Sequence, residues 1–179
     1  HTEFSLVDGV VRVDELVDAC AKAGMPACAV TDQSNLFAMV KFYRAAQSAG
    51  VKPIIGIDLR VRELGERQEP STLVLLCQND VGYRNLIQLS SKAFLEGYYY
   101  KPRLDWDLLA QHHEGLIATT GCLGGHVLQS LLQGDEKGAV EKAGRLQEIF
   151  GKDNLFVEIQ DHGLAAQHDT NPKLVEIAK

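Results

Sequence analysis

The sequence predicts an α/β fold, a parallel sheet or barrel whose strands alternate with helices. Three observations carry this expectation. Five short apolar runs of strand type are separated by segments with apolar residues at helical spacing. Gly and Pro cluster between the periodic segments and punctuate them. Polar residues suited to chemistry follow directly after the apolar runs, where α/β barrels carry their working groups.

Taken in order, Val13, Leu16, Val17 and Cys20 mark a first helix, closed by Gly24 and Pro26. Residues 27–31 read as a strand. Leu36, Met39, Val40 and Tyr43 mark a second helix, ended by Gly50. Residues 53–62 read as a strand, and residues 64–71, with Gly65 and Pro70, as a loop suited to insertions. The next strand is expected over 73–77. Asp80 is expected to cap a helix carrying Tyr83, Leu86, Ile87 and Phe94. Tyr98, Tyr99 and Tyr100 fall in a loop. A strand over 116–120 leads into a glycine-rich turn over 121–125, then helices over 126–133 and 136–150. A strand over 155–160 follows. Asn171 and Pro172 read as a cap and a first helical residue, opening a helix that runs to Lys179. The chain starts at His1 without Met and stops inside a helix. It is therefore expected to be a fragment whose sheet edge is left open to pairing.

Composition narrows the functional classes. The chain of 179 residues suits one domain, with 45% apolar and 23% charged residues. Its 18 basic and 24 acidic groups leave a net charge of −6, which disfavours tight non-specific DNA binding by this chain alone. None of the four cysteines forms a CxxC pair; Cys20, Cys28 and Cys77, in apolar runs, read as core thiols of a reducing, cytoplasmic protein. No apolar stretch is long enough to span a membrane, and no signal peptide is visible.

The polar positions at strand ends form one set. Asp32 and Gln33 follow the strand over 27–31, Asp58 lies within the next, Cys122 sits in the glycine-rich turn, and Asp161 and His162 follow the strand over 155–160. His1 and Asp8 precede the first helix. His1, Asp8, Asp32, Gln33, Asp58 and Cys122 are expected to line one mouth. Carboxylate, imidazole and thiolate together are metal-ligand chemistry. Each residue also has a plainer use. Asp32 would cap the helix near Leu36, Asp58 would pair with an Arg or Lys, Cys122 would pack as a small thiol, and His162 would serve a turn. His112, His113 and His168 are expected at the surface. The turn over 121–125 is suited to cradle an anion, but no Walker lysine, dinucleotide fingerprint or nucleophile elbow is present.

Together the motifs resemble the PHP-type domain of bacterial replicative polymerase III alpha subunits. The resemblance runs through His1-Thr2-Glu3-Phe4-Ser5-Leu6-Val7-Asp8-Gly9, Thr31-Asp32-Gln33-Ser34-Asn35-Leu36 and Lys52-Pro53-Ile54-Ile55-Gly56. It continues through Gly82-Tyr83-Arg84-Asn85-Leu86, Glu96-Gly97-Tyr98-Tyr99-Tyr100-Lys101-Pro102, Gly121-Cys122-Leu123-Gly124-Gly125 and Phe156-Val157-Glu158-Ile159-Gln160-Asp161-His162-Gly163. The number and order of these motifs carry it along the whole chain, as a single domain over 1–179.

The resemblance implies a distorted (βα)7 barrel of PHP type, truncated at both ends. It implies that His1 matches the second His of the family's opening pair, Asp8 the acid after it, and Cys122 a Cys or His ligand position. Asp58 stands where Glu is usual, and Gln33 and Thr72 stand at positions commonly held by His. Neutral Gln and Thr are weak donors for a transition metal, so the resemblance implies a degenerate metal site and a scaffold role without hydrolysis. The full-length protein would be a DNA-directed DNA polymerase, a nucleotidyltransferase (transferase) of DNA replication, using Mg²⁺ in a domain outside this chain. No cofactor is expected here, with Zn²⁺ or Mn²⁺ only if the site is active. The implied partners are the polymerase core of the same polypeptide and the proofreading exonuclease subunit. Sliding clamp, clamp loader and DNA are met through other domains, and no membrane is involved. The alternative is an active metal-dependent PHP phosphoesterase, either a pyrophosphatase or a 3′–5′ exonuclease. A histidinol-phosphatase-like or polymerase-X-linked PHP domain fits less well with the tyrosine-rich and Gly82-Tyr83-Arg84-Asn85 motifs.

Overall fold

The structure, a computed structural model, describes residues 1–62 and 70–179. After irregular turns over residues 1–12 come α1 (Val13–Lys22), β1 (Ala27–Val30), α2 (Met39–Ser48) and β2 (Lys52–Arg62). Then follow β3 (Ser71–Cys77), α3 (Asp80–Leu95), β4 (Leu104–Asp105), α4 (Trp106–Gln111) and β5 (Leu116–Thr119). The chain ends with α5 (His126–Leu132), α6 (Glu136–Phe150), a 3-10 turn (Lys152–Asn154), β6 (Leu155–Phe156) and α7 (Ala165–Ala178).

The strands form one open sheet in the order β1-β2-β3-β5-β6, with β4 also paired to β2. The expected all-parallel arrangement is corrected in the middle. β1 runs parallel to β2, and β5 to β6, but β3 is antiparallel to both β2 and β5. The reason is connection length. A parallel pair needs a crossover of roughly a dozen residues or more, and only the short stretch between Arg62 and Ser71 joins β2 to β3. The expected loop over 64–71 lies outside the described residues, apart from Pro70 and Ser71, and Ser71 already belongs to β3.

Alternation along β2 sorts its two faces. Ile57, Leu59 and Val61 are each 0% exposed and enter the main core. There they join Leu73 and Leu75 of β3, Leu116 and Ala118 of β5, and the inner faces of α3, α4 and α6. The two-residue period turns Asp58 and Arg60 to the other face. A second, smaller core joins Val13, Val17 and Cys20 of α1 to Val30 of β1 and Phe42 and Ala46 of α2. Close approach demands glycine at Gly82, where a Cβ would run into the Gly115 carbonyl. No described helix is long and apolar enough to cross a membrane.

Several element ends differ from expectation for identifiable reasons. The cap of α3 is Asn79, extended at φ −157° and ψ −175°, whose Oδ1 accepts from Gly82 N at 3.1 Å; Asp80 is the first helical residue instead. The strand expected over 155–160 shrinks to β6, because β5 stops at Thr119 and its backbone pairing ends with Thr120 N donating to Phe156 O at 3.0 Å. Beyond it, Glu158 N donates to Thr120 Oγ1 at 2.9 Å. The short β4 and α4 escaped the periodicity; Asp105 caps α4, accepting from Leu108 N at 2.9 Å. Cys20 is buried, whereas Cys28 and Cys77 are only half-buried; burial still pushes both thiols up to about 11. His168 is exposed, but His112 and His113 are half-buried, and the His113 ring nitrogen Nδ1 meets the Ala110 carbonyl at 2.6 Å.

The last helix starts at Ala165 rather than at Pro172, so Pro172 lies inside it. Asn171 is no cap; its Nδ2 donates to Gln160 O at 3.0 Å. Proline there leaves the carbonyl one turn earlier without its N–H partner. Pro172→Ala is expected to stabilise the chain by about 1–2 kcal/mol, read as a higher urea midpoint with unchanged slope. A lower midpoint would show that proline at this position is needed for packing.

Candidate functional site

The first residues fold back over the ends of β1 and β2. Their anchor is Asp32, 1% exposed just after β1. Its Oδ1 accepts from Thr2 N at 2.5 Å and Ser5 Oγ at 2.7 Å, and its Oδ2 accepts from Thr2 Oγ1 at 2.7 Å. Asp32 is therefore the clamp of the N-terminal segment and not a cap of α2. Ser5 Oγ also accepts from Gln33 N at 3.0 Å, and Asn35 Nδ2 donates to Phe4 O and Gln33 O, each at 3.0 Å. The backbone supports this junction. Asp58 N donates to Asp32 O, and Ser34 N, with φ +57°, donates to Asp58 O, which carries the β1–β2 pairing past the end of β1.

The clamp places His1 over Asp58, with Nε2 and Oδ2 3.1 Å apart. The anticipated Arg or Lys partner of Asp58 is thus replaced by an imidazole. The hydrogen bond to Asp58 raises the His1 pKa; burial pulls it down, and the charges of Asp58, Asp32 and Asp8 push it up. His1 consequently adds stability that is complete below its ordinary value of 6.5 and fades as pH rises through the raised one. Asp58 is 8% exposed, and its second oxygen, Oδ1, is buried without a hydrogen-bond partner.

Arg60 lies two residues further on the same face of β2. Its Nη2 donates to Gln33 Oε1 at 2.9 Å and its Nη1 to Ser34 Oγ at 3.3 Å. Across the ladder Arg60 faces Thr72, whose N donates to Gly124 O at 2.8 Å and which bridges to Gly125. This joins the glycine-rich turn to the mouth. His1, Asp32, Gln33 and Asp58 are brought together directly, and Thr72 adjoins them through Arg60. Asp8 is exposed and acts on His1 through charge alone. Cys122 sits in the turn beyond Thr72, with its carbonyl accepting from Gly125 N at 2.8 Å. Asp161 and His162 are exposed, with Asp161 beside His168 at 3.8 Å and His162 N donating to Gln167 Oε1 at 2.8 Å. The residues missed from sequence were Thr2, Ser5 and Arg60. The Asp58-x-Arg60 spacing on one strand face was the available signal for the last.

The donor set does not fit a catalytic metal cluster. Among the described residues, Asp58 Oδ1 is the one buried carboxylate oxygen left without a hydrogen-bond partner for a cation to satisfy. Asp32 spends both oxygens on Thr2 and Ser5, and Gln33 offers its oxygen to Arg60. Among the described residues no group of three or more His, Cys, Asp or Glu is placed to hold an ion. A guanidinium in the same mouth adds like-charge repulsion.

The open α/β sheet, with a polar mouth built on the end of β1 and one face of β2, defines a barrel-like α/β domain. A family model described as the PHP domain matches residues 1–162, and the chain belongs to that family. It is similar to DNA polymerase III subunit alpha of Treponema pallidum, 42% identical over 186 residues, covering 99% of this chain and 16% of that protein. The Deinococcus radiodurans subunit is 43% identical over 189 residues, with 97% of this chain and 14% of that protein covered. The Thermus aquaticus subunit is 41% identical over 190 residues, with 100% and 16% covered. The chain therefore spans only a small part of the length of the curated relatives it matches.

Proposed function

We propose that this chain is the PHP scaffold domain of a DNA polymerase III alpha subunit, one domain over 1–179, acting without hydrolytic chemistry of its own. The observation that carries the proposal is the mouth itself. Asp32 and Gln33, both in line for ligand duty, are committed to hydrogen bonds with Thr2, Ser5 and Arg60. A network of satisfied polar groups rigidifies a junction, and here it fixes the N-terminal segment to β1 and β2. Similarity to alpha subunits along 97–100% of the chain supports placement within such a polymerase. In that reading the whole protein is cytoplasmic and extends DNA with Mg²⁺ in another domain. This domain packs on the polymerase core and offers a surface to the proofreading exonuclease subunit, and clamp, clamp loader and DNA are engaged elsewhere.

The test is hydrolysis by the intact chain with added Mn²⁺ or Zn²⁺. Phosphate monoesters, pyrophosphate and 3′-labelled single-stranded DNA are all expected to survive. The double change Gln33→His with Thr72→His is expected to raise metal affinity, provided the other His of the opening pair is supplied, because it restores two imidazole donors. Metal-dependent hydrolysis by the unmodified chain, abolished by Asp8→Asn, would remove the scaffold reading.

A further inference from the structure

We infer that Arg60 is a built-in cation that takes the place of a metal ion in the mouth and keeps divalent ions out. The inference rests on the scaffold reading and goes further, because it adds to the missing ligands one residue whose charge excludes the ion. Three of the candidate ligand positions surround Arg60. Gln33 accepts from its Nη2 at 2.9 Å, Thr72 is its cross-strand partner, and Asp58 lies two residues away on the same strand face. Its side-chain hydrogen bonds go to neutral oxygens, those of Gln33 and Ser34, and among the described residues no carboxylate forms an ion pair with it. A guanidinium stays charged at every accessible pH and is held by planar, directional donors. Its full charge therefore stays in the mouth, on the strand face that also carries a buried Asp58 oxygen with no partner. A divalent ion arriving at Asp58 would meet that fixed charge on the same strand face, beside a buried oxygen that solvent screens poorly.

Substitutions at Arg60 separate charge from shape. Arg60→Lys keeps the charge and loses the fork; Arg60→Gln and Arg60→Met lose the charge. Mn²⁺ is titrated into the 179-residue chain and into each variant. Binding is followed by the paramagnetic resonance signal of the free ion and by broadening of the His1 ring resonances. Arg60→Gln is expected to bind Mn²⁺ at least about tenfold more tightly than the unmodified chain, with broadening at His1, whereas Arg60→Lys stays as refractory as the parent. Equal gains in Arg60→Lys and Arg60→Gln would overturn the inference, since shape rather than charge would then exclude the ion. So would a natively folded Arg60→Gln or Arg60→Met, judged by circular dichroism, that binds no more tightly than the parent. Loss of the fold in both would make Arg60 a determinant of folding and overturn it as well. Failure here with an inert parent chain leaves the scaffold reading standing, whereas hydrolysis by the parent removes that reading by itself.

Discussion

Acidification from pH 6.5 to about 4 is expected to remove about 3 kcal/mol of stability through one residue, His126. His126 opens α5 and is 3% exposed. Its ring lies 4.7 Å from that of Trp106 on α4, and its Nε2 is buried without a hydrogen-bond partner. Burial pushes its pKa from 6.5 down to about 4, and the positive charges of Lys142 and Arg145 on α6 push the same way. The folded value lies below the unfolded one, so the unfolded chain binds the proton first as pH falls. The stabilising contribution is complete above 6.5, declines as pH falls, and is gone once pH passes the folded value near 4. The measurement is a set of urea melts across this range for the parent and for His126→Phe, which keeps an aromatic ring against Trp106 and cannot titrate. The parent is expected to lose about 3 kcal/mol more than the variant on acidification. Parallel pH profiles would show that His126 is solvated or paired in the folded chain.

Asp32→Ala is expected to cost about 3 kcal/mol at neutral pH and to release the N-terminal segment. The substitution leaves Thr2 N, Thr2 Oγ1 and Ser5 Oγ without their acceptor in a place where Thr2 is 1% and Ser5 4% exposed. Each stranded donor costs on the order of 1–3 kcal/mol if water cannot reach it, and release of the segment relieves part of that penalty. Asp32→Asn should lose less, about 1 kcal/mol, because its amide oxygen still accepts from Thr2 N and Ser5 Oγ while the Thr2 hydroxyl rotates to accept. The readouts are the urea midpoint and the rate of proteolysis within residues 1–12. A loss below about 0.5 kcal/mol for Asp32→Ala would mean that the segment is held elsewhere. The other tethers are the Asn35 Nδ2 bond to Phe4 O at 3.0 Å and the His1 contact with Asp58 at 3.1 Å, while the Lys41 contact with Glu3 at 3.3 Å lies at the surface, where such pairs contribute little.

These two residues differ in how far they could be read from the sequence. Asp32 stood out because it follows an apolar strand run, and the expectation that it lies at a mouth agrees with where it sits. Its partners did not stand out, since Thr2 and Ser5 meet it only after the first residues fold back across a separation of about thirty positions. His126 was passed over inside an apolar helix. Nothing local says that its ring faces Trp106 and α6 rather than water, because that depends on how α4, α5 and α6 pack.

By itself the sequence determined what depends on local periodicity. The two-residue alternation of Ile57, Leu59 and Val61 against Asp58 and Arg60 is already written along β2, and so are most helices and the glycine-rich turn before α5. Only the tertiary structure decided what depends on meeting a distant partner. It reversed β3, because the link after Arg62 is too short for a crossover. It cut the strand after Leu155 to two residues, because β5 ends at Thr119. It also gave Asp58 to His1 and Gln33 to Arg60. Residue types state which groups are able to hold a metal, whereas the hydrogen bonds that already occupy those groups are formed between segments far apart in the chain.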